Sequence, residues 1–290
     1  MKSELLKRNY IHADETVLKV LRDDGKEASK SNSYMWLYMS DTDKKPIVLY
    51  DYQKTRASSW TKKFLGDYKG YLQTDGYAGY NSVSEATRIY CLAHIRRKFH
   101  EIVSTLDKKT LEDSRAIIGF NYCEQIYNLE KELRQLYSNN KDYYDIRFKE
   151  RQTKLAPILD NFISYIDEDI KNALPRSPLG KALDYAQKYV PSLKNVLLDG
   201  SLEVDNNAAE QEIKPFVIDR KNFLFCKTAK GATASSYLYS IIETAKANNL
   251  VVEKYLVYLF ENLIQTNDNH SLENLMPWSD SIPDNIKIKK

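Results

Sequence analysis

Three acidic side chains spread widely along the chain set the chemical question: Asp14, Asp75 and Glu210. Brought together, three carboxylates are the hard oxygen donors that Mg²⁺ or Mn²⁺ prefers, with waters and a substrate phosphate completing the shell. Two such ions held close can activate an attacking oxygen and stabilise a leaving one in an in-line displacement at phosphorus. Neutral side chains could not hold two dications close together, so the residue type matters. Glu210 lies in the most informative stretch, Asp205 to Phe225, which reads DNNAAEQEIKPFVIDRKNFLF. Asn207 as N-cap puts Glu210 at the third helical position, a capping-box arrangement. Lys214 comes four residues later on the same helix face, and Arg220 and Lys221 follow. A carboxylate beside a row of cations suits a site that holds a metal and a phosphate together. The same residues also read as a capped helix with a solvated ion pair. Pro215 removes a backbone donor and is expected to kink or end this helix.

The elements that must position these groups follow from patterning. Residues 10–20 alternate as a strand, and the Asp-Gly within DDGK at 23–26 marks a turn. Residues 33–40 and 46–52 read as two further strands, giving a three-strand meander. Ser58 to Leu65 is helical, with Trp60, Phe64 and Leu65 on one side. Residues 70–74 form a short fourth strand that runs into Asp75-Gly76. Residues 77–83 are a turn or short helix, and 87–93 a buried strand. Asp14 then sits on the first strand and Asp75 at the C-terminal end of the fourth. In a twisted mixed sheet whose first and fourth strands are neighbours, these two can meet at one edge, and a helix over that edge adds Glu210.

From His94 to about Tyr189 the pattern is almost entirely helical. Ile126, Leu129, Leu133 and Leu136 repeat at bundle spacing, while Pro157 and the Pro175–Pro178 pair are expected to break the region into several helices. The mixed charge here is the pattern of solvated faces. Residues 193–204 read as loop or short extended segment around Asp199-Gly200. Lys230-Gly231 marks a turn, and helices are expected over Thr233 to Asn248 and Val251 to Ile264, the latter with Tyr255, Leu256, Leu259 and Phe260 inward. Leu272, Leu275, Met276, Pro277 and Trp278 can pin the tail, and the terminal IKIKK is expected to fray. Trp36, Trp60 and Trp278 are read as core residues.

Composition bounds the rest. A chain of 290 residues with 42% hydrophobic content can build a real core, which excludes whole-chain disorder. Lys+Arg 43 against Asp+Glu 40 gives +3, too mild to imply nucleic acid by itself, so any basic surface must be local. The 3 Cys form no CxxC pair, and an odd number argues against a disulfide framework. MKSELLKRNY contains no apolar signal core, and no stretch is long enough to span a membrane. These features predict a reducing, cytoplasmic location.

Several motifs in order carry a resemblance. HADET at 12–16, GYLQTDGYAGYN at 70–81, CLAHIRRKF at 91–99, DNNAAE at 205–210 and RKNFLF at 220–225 resemble the catalytic region of the insertion sequence 66 family of bacterial transposases. ETAKANNL at 243–250 and LENLMPW at 272–278 resemble its C-terminal part. The resemblance is thinnest over 101–175.

It implies an α/β, ribonuclease H-like mixed sheet with a large helical insertion and C-terminal helices. The implied division is a first core part at 1–93, the insertion at 94–204, the rest of the core at 205–264 and a tail element at 265–290. Carried over by position, the catalytic and metal-binding triad is Asp14, Asp75 and Glu210 with Mg²⁺ or Mn²⁺. The implied reaction is hydrolysis at element ends followed by attack of the freed 3′ hydroxyl on target DNA. The implied partners are transposon-end and target DNA, with further copies of the chain assembled on it and nucleoid association when bound.

The candidate DNA contacts are His94, Arg96, Arg97, Lys98, Lys214, Arg220 and Lys221. Each has a plainer reading. His94 suits a helix start, or half a zinc site with Cys91 that no second pair completes. Arg96, Arg97 and Lys98 suit a solvated helix face. His12 shares a strand face with Asp14 as a supporting or packing group, and Glu15, facing the other way, is the second choice for the first acid. Gln211 and Lys214 stand where the family commonly has arginine, and Asp219 where it has glycine. Nothing before Asp14 supplies the end-recognition region usual in the family, so the chain resembles a truncated product or an excised core. That leaves two alternatives: a non-catalytic remnant that inhibits by joining full-length transposase, and a structure-selective nuclease without strand transfer.

Overall fold

The computed structural model describes residues 1–23, 26–27, 32–40, 45–107, 109–110, 114–264 and 269–289. They divide into two units. One comprises Met1–Gly70, Ala78–Ala86 and Asn207–Lys290, the other Tyr71–Tyr77 and Thr87–Asn206. A four-residue helix, α1 (Lys2–Leu5), opens the chain.

In the first unit, β1 (Tyr10–Leu18) pairs antiparallel with β4 (Ser33–Ser40), and β4 with β5 (Ile47–Gln53). The middle strand is apolar almost throughout and buried on both faces, as an internal strand should be. Leu18, Met35, Leu37, Met39, Val48 and Tyr50 form one face. It is covered by α8 (Asn207–Phe223) and α9 (Ala229–Ala247), through Ala209, Ile213, Phe216 and Ala232. The opposite face is covered by α2 (Ser58–Leu65) and a 3₁₀ turn, Ala78–Ser82. There Phe64 stacks on Tyr38 at 3.9 Å and Tyr80 meets Trp36 edge-on at 5.6 Å. Trp36 is fully buried, whereas Trp60 and Trp278 are half-buried.

The β5 backbone is satisfied by hydroxyls on α9. Thr244 Oγ1 accepts from Val48 N at 3.0 Å and donates to Val48 O at 2.8 Å, and Ser240 Oγ accepts from Tyr50 N at 2.8 Å. Strand groups left without partners would be costly or sticky, and the helix removes that liability.

The 10–20 stretch divides: β1 ends at Leu18, and β2 (Val20–Asp23) pairs antiparallel with β3 (Lys26–Glu27) and parallel with β8 (Cys226–Thr228). The Asp-Gly of the expected turn lies outside the described residues.

Four expectations do not hold in this unit. Pro215 neither ends nor interrupts α8, because Ala209 and Ile213 before it and Phe216 after it are buried in one core. Lys230-Gly231 is the first turn of α9, capped by Thr228, whose hydroxyl accepts from Gly231 N at 3.0 Å. The IKIKK end is pinned rather than frayed. Ile286 is buried, Lys287 bridges Leu250, and Ile288 N donates to Asn249 O at 2.8 Å. Between these lie α10 (Val252–Leu263) and α11 (Asn269–Asn274), and Tyr255 and Leu259 of α10 form a small core with Leu250, Leu275, Ile282 and Ile286. Phe260, expected inward, is 53% exposed, since it lies off the Tyr255–Leu259 stripe.

The second unit begins with β6 (Tyr71–Thr74), parallel to β7 (Thr87–Tyr90). The strand expected over 87–93 stops at Tyr90, and α3 (Leu92–Val103) starts two residues later. Helices α4 (Arg115–Tyr137), α5 (Tyr143–Glu150), α6 (Ala156–Asp169) and α7 (Pro178–Leu193) follow. Pro157 does not break the chain. It falls in the first turn of α6, directly after a π turn over Arg151–Leu155, where a missing N–H is tolerated. Pro178 does mark a start, with Ser177 accepting from Gly180 N at 3.0 Å. Ile126, Leu129 and Leu133 are buried, while Leu136, near the end of α4, is 62% exposed.

The whole is an α/β chain with antiparallel strands and the short parallel β2–β8 pairing in one unit and a parallel pair in the other. No described helix is long and apolar enough to cross a membrane.

Candidate active site

Side chains alternate along a strand, so Asp14, Thr16 and Leu18 share a face, the face that α8 covers. Asp14 sits opposite Leu37, which sits opposite Tyr50. Helix α8 is tied to this face by Arg220 Nη1, which donates to Thr16 Oγ1 at 3.0 Å, and by the Tyr50 hydroxyl, which donates to Glu212 O. Glu210 lies half-buried in the first turn of that helix, where a carboxylate is favoured by the helix dipole. Asp14 and Glu210 therefore ride on elements that pack together within one unit. Among the described residues no ion pair joins Glu210 to Lys214. Lys214 and Lys221 are exposed, and Arg220 is half-buried against Thr16.

The two adjacent acids of β1 have different surroundings. Glu15 projects to the opposite face, where its side chain is 2% exposed. Arg56 Nε donates to Glu15 Oε1 at 2.7 Å, Arg56 Nη2 donates to the same oxygen, and the Tyr80 hydroxyl donates to Oε2. Burial, reinforced by the Glu15 charge, pushes the Tyr80 hydroxyl pKa far up, so Tyr80 remains a donor. Asp14 is half-buried, and its Oδ1 accepts from Glu15 N at 2.8 Å.

In the second unit, Asp75 follows the last residue of β6. Its Oδ1 accepts from Tyr77 N at 2.8 Å, an Asx turn that fixes the carboxylate at the strand end. Arg88 is directed at backbone and hydroxyl instead, donating to Asp75 O at 3.3 Å and to Thr74 Oγ1. Gly76 is closely approached by two tyrosine rings, which a side chain there would push aside. A Cβ there would lie 2.9 Å from both the Tyr185 hydroxyl and Tyr189 Cζ, and Tyr189 donates to Gly76 O at 2.8 Å. Because Thr74 pairs with Tyr90, Asp75 and Cys91 leave the parallel pair at the same, C-terminal end, the end where ligands gather in open α/β sheets.

Helix α3 rises from that end. His94 is half-buried in its first turn. Arg96 pairs through Nε with Glu124 and lies 4.8 Å from the Phe120 ring. Arg97 is exposed, and Lys98 lies 5.7 Å from the Tyr185 ring. Arg96, Arg97, His100, Glu124 and Tyr127 line a cleft of about 490 Å³. Burial and the Asp205 charge push the Tyr127 hydroxyl pKa up.

One constellation escapes the sequence reading. Arg147 and Arg151, expected on solvated faces, are fully buried with Glu130. Glu130 Oε2 accepts from Arg147 Nε and Nη2 at 2.9 and 2.7 Å, and Oε1 from Arg151 Nε at 2.7 Å. Arg147 also bonds both oxygens of Glu203, at 2.8 and 2.9 Å. Further guanidinium N–H groups donate to the carbonyls of Val196, Asp199, Gly200 and Leu202. Burial works to raise the Glu130 pKa, but Arg151 and Arg147 hold it below the usual carboxylate range. The network pins the segment that precedes Asp205. Val204 and Asn206 are tied in turn to the start of α3, through Leu92 N to Val204 O at 2.9 Å and Asn206 N to Cys91 Sγ at 3.2 Å. The available signal was Glu130 itself, a charge set into the Ile126–Leu133 apolar stripe.

The family described as "Transposase IS66 family" matches residues 1–234, and "IS66 C-terminal element" matches 240–278. Three similar proteins of Sinorhizobium fredii are named only as uncharacterized. Protein y4jD is 28% identical over 81% of this chain and 46% of its own length. Protein y4qI is 27% identical over 93% and 50%, and y4hP 23% identical over 92% and 50%. The chain thus spans about half the length of these relatives. No solved structure matches it.

Proposed function

The chain belongs to the IS66 family of transposases, and on that premise we propose that it carries the phosphodiester chemistry of transposition. The reaction is hydrolysis at DNA ends followed by strand transfer, and the acidic triad is Asp14, Asp75 and Glu210 on a ribonuclease H-like core. The stretch 94–204 is the helical insertion of that core. The observation that carries this reading is the family match over residues 1–234, which includes all three acids.

The side chains fit a divalent ion by their chemistry. Asp14, Asp75 and Glu210 are half-buried carboxylates, hard donors of the kind Mg²⁺ and Mn²⁺ take. When bound, such an ion supplies Lewis acidity at the reacting phosphate. Glu15 is a poor substitute for Asp14, because Arg56 and Tyr80 already engage both its oxygens.

Each acid is held by a different device. Asp14 is fixed by the β1–β4 register, Asp75 by its turn to Tyr77 N, and Glu210 by the packing of α8. The cations Arg97, Lys98, Lys214, Arg220 and Lys221 take backbone phosphates, with Arg96 and His94 beside them. Arg96 must exchange Glu124 for a phosphate to join them. Several copies of the chain assemble on the DNA.

The test is nicking and joining of supercoiled plasmid by the purified chain in Mg²⁺ or Mn²⁺. Wild type is active, and Asp75→Asn is inactive with an unchanged melting temperature. An Asp75→Asn chain as active as wild type would overturn the triad.

A further inference from the structure

The motif RKNFLF contains a feature that phosphate binding does not use. Phe223, Leu224 and Phe225 are 36, 64 and 43% exposed, three large apolar side chains in succession. Leu224 has φ 62, a left-handed conformation that leucine rarely adopts. Strain of this kind persists only where the surroundings over-determine it, and it clusters at functional positions.

The surroundings here do determine it. Leu224 N donates to Arg220 O at 2.8 Å, Phe225 N to Phe223 O at 2.7 Å and Cys226 N to Lys19 O at 2.9 Å. The Phe223 ring meets Phe216 edge-on at 5.9 Å. Cys226 and Thr228 then pair with Val20 and Arg22. The corner between α8 and β8 is therefore a rigid apolar point.

The segment that carries it is cationic. Residues 214–230 carry Lys214, Arg220, Lys221, Lys227 and Lys230 against the single acid Asp219, an excess larger than the +3 of the whole chain. Asp219 accepts a hydrogen bond from the Tyr239 hydroxyl at 2.6 Å. A rigid apolar point within a cationic segment fits one partner chemistry above others: a polyanion that also offers unstacked aromatic faces. Cations take the phosphates, and aromatic or aliphatic wedges take the bases. We propose that Phe223, Leu224 and Phe225 form a wedge that contacts unpaired bases of DNA. This rests on the transposase reading and extends it from the phosphates to the bases.

The experiment compares two fluorescent duplexes of one arbitrary sequence, one fully paired and one with three unpaired bases at its centre, bound to the full chain. Wild type should prefer the unpaired duplex by about tenfold. The double variant Leu224→Gly/Phe225→Ala should bind both alike. Glycine suits the left-handed position, so this variant should keep its fold, which its melting temperature checks. Lys221→Ala should weaken both duplexes equally and lower the salt dependence. If wild type binds both duplexes alike, or the preference survives in the double variant, the wedge is refuted while the transposase reading stands. A change of oligomeric state in the double variant with DNA preference intact would make the corner a protein interface and refute the proposal. Failure of wild type to bind either duplex would overturn the transposase reading as well.

Discussion

Glu130 in the helical unit and Asp14 on β1 are both carboxylates on regular elements, set among apolar neighbours, but they serve opposite ends. Glu130 is 3% exposed and has both oxygens occupied by guanidinium groups. Asp14 is half-buried at a strand position covered by a helix that carries a second acid. The contrast recurs within two residues of β1, where Glu15 is engaged by Arg56 and Tyr80 as Glu130 is by its arginines. Acidity and burial do not separate a structural carboxylate from a candidate ligand. What marks Glu130 and Glu15 as structural is that side-chain donors, guanidinium groups above all, engage both of their oxygens.

That distinction gives its largest effect in activity. Asp14→Asn should lower DNA cleavage by roughly a thousandfold or more, since removing a metal ligand forfeits several kcal/mol of transition-state stabilisation. Its unfolding midpoint in urea should stay at the wild-type value. Glu130→Ala should do the reverse. Leaving Arg147 and Arg151 buried without their partner should cost about 3–5 kcal/mol of stability, read by urea unfolding. Activity per folded molecule should stay within a few-fold, and a selective loss of activity would erase the contrast.

Glu15→Gln should fall between. It weakens the bonds to Arg56 and Tyr80 and should cost about 1–3 kcal/mol in the same assay, with cleavage retained by the folded protein. If Glu15→Gln abolished cleavage and Asp14→Asn did not, the assignment along β1 would be inverted.

The smallest effect is with pH. Glu130 has its pKa lowered in the folded state, so its contribution is complete above the unfolded value, roughly pH 4.3, and is lost as pH falls through the folded value. Acid unfolding of wild type should therefore show a step in this range that Glu130→Gln lacks.

The sequence exposes one side of this contrast better than the other. Strands Ser33–Ser40 and Ile47–Gln53 and helix Ser58–Leu65 were legible because apolar periodicity and flanking breakers agree. Asp14 and Asp75 stood out as acids at a strand and a strand end, positions that propensity alone does not favour. The ionic network was not legible, because Arg147, Arg151 and Glu130 look like solvated charges until three segments close around them. Proline was misread for a related reason. Pro157 follows a π turn, and Pro215 is spanned by buried residues on both sides, and neither context is local. The pinned tail depends on Ile286 meeting Tyr255 and Leu259, a contact that no window along the chain reveals.

The most direct test of the triad replaces Mg²⁺ with Fe²⁺ and adds ascorbate in the presence of duplex DNA, then maps where the polypeptide is cut by locally generated radicals. A metal held by Asp14, Asp75 and Glu210 predicts three clusters of cuts, around residues 14, 75 and 210, all suppressed by excess Mg²⁺ and all lost together in Asp14→Asn. Cuts confined to one of these positions, or a pattern unchanged in Asp14→Asn, would contradict a shared metal site.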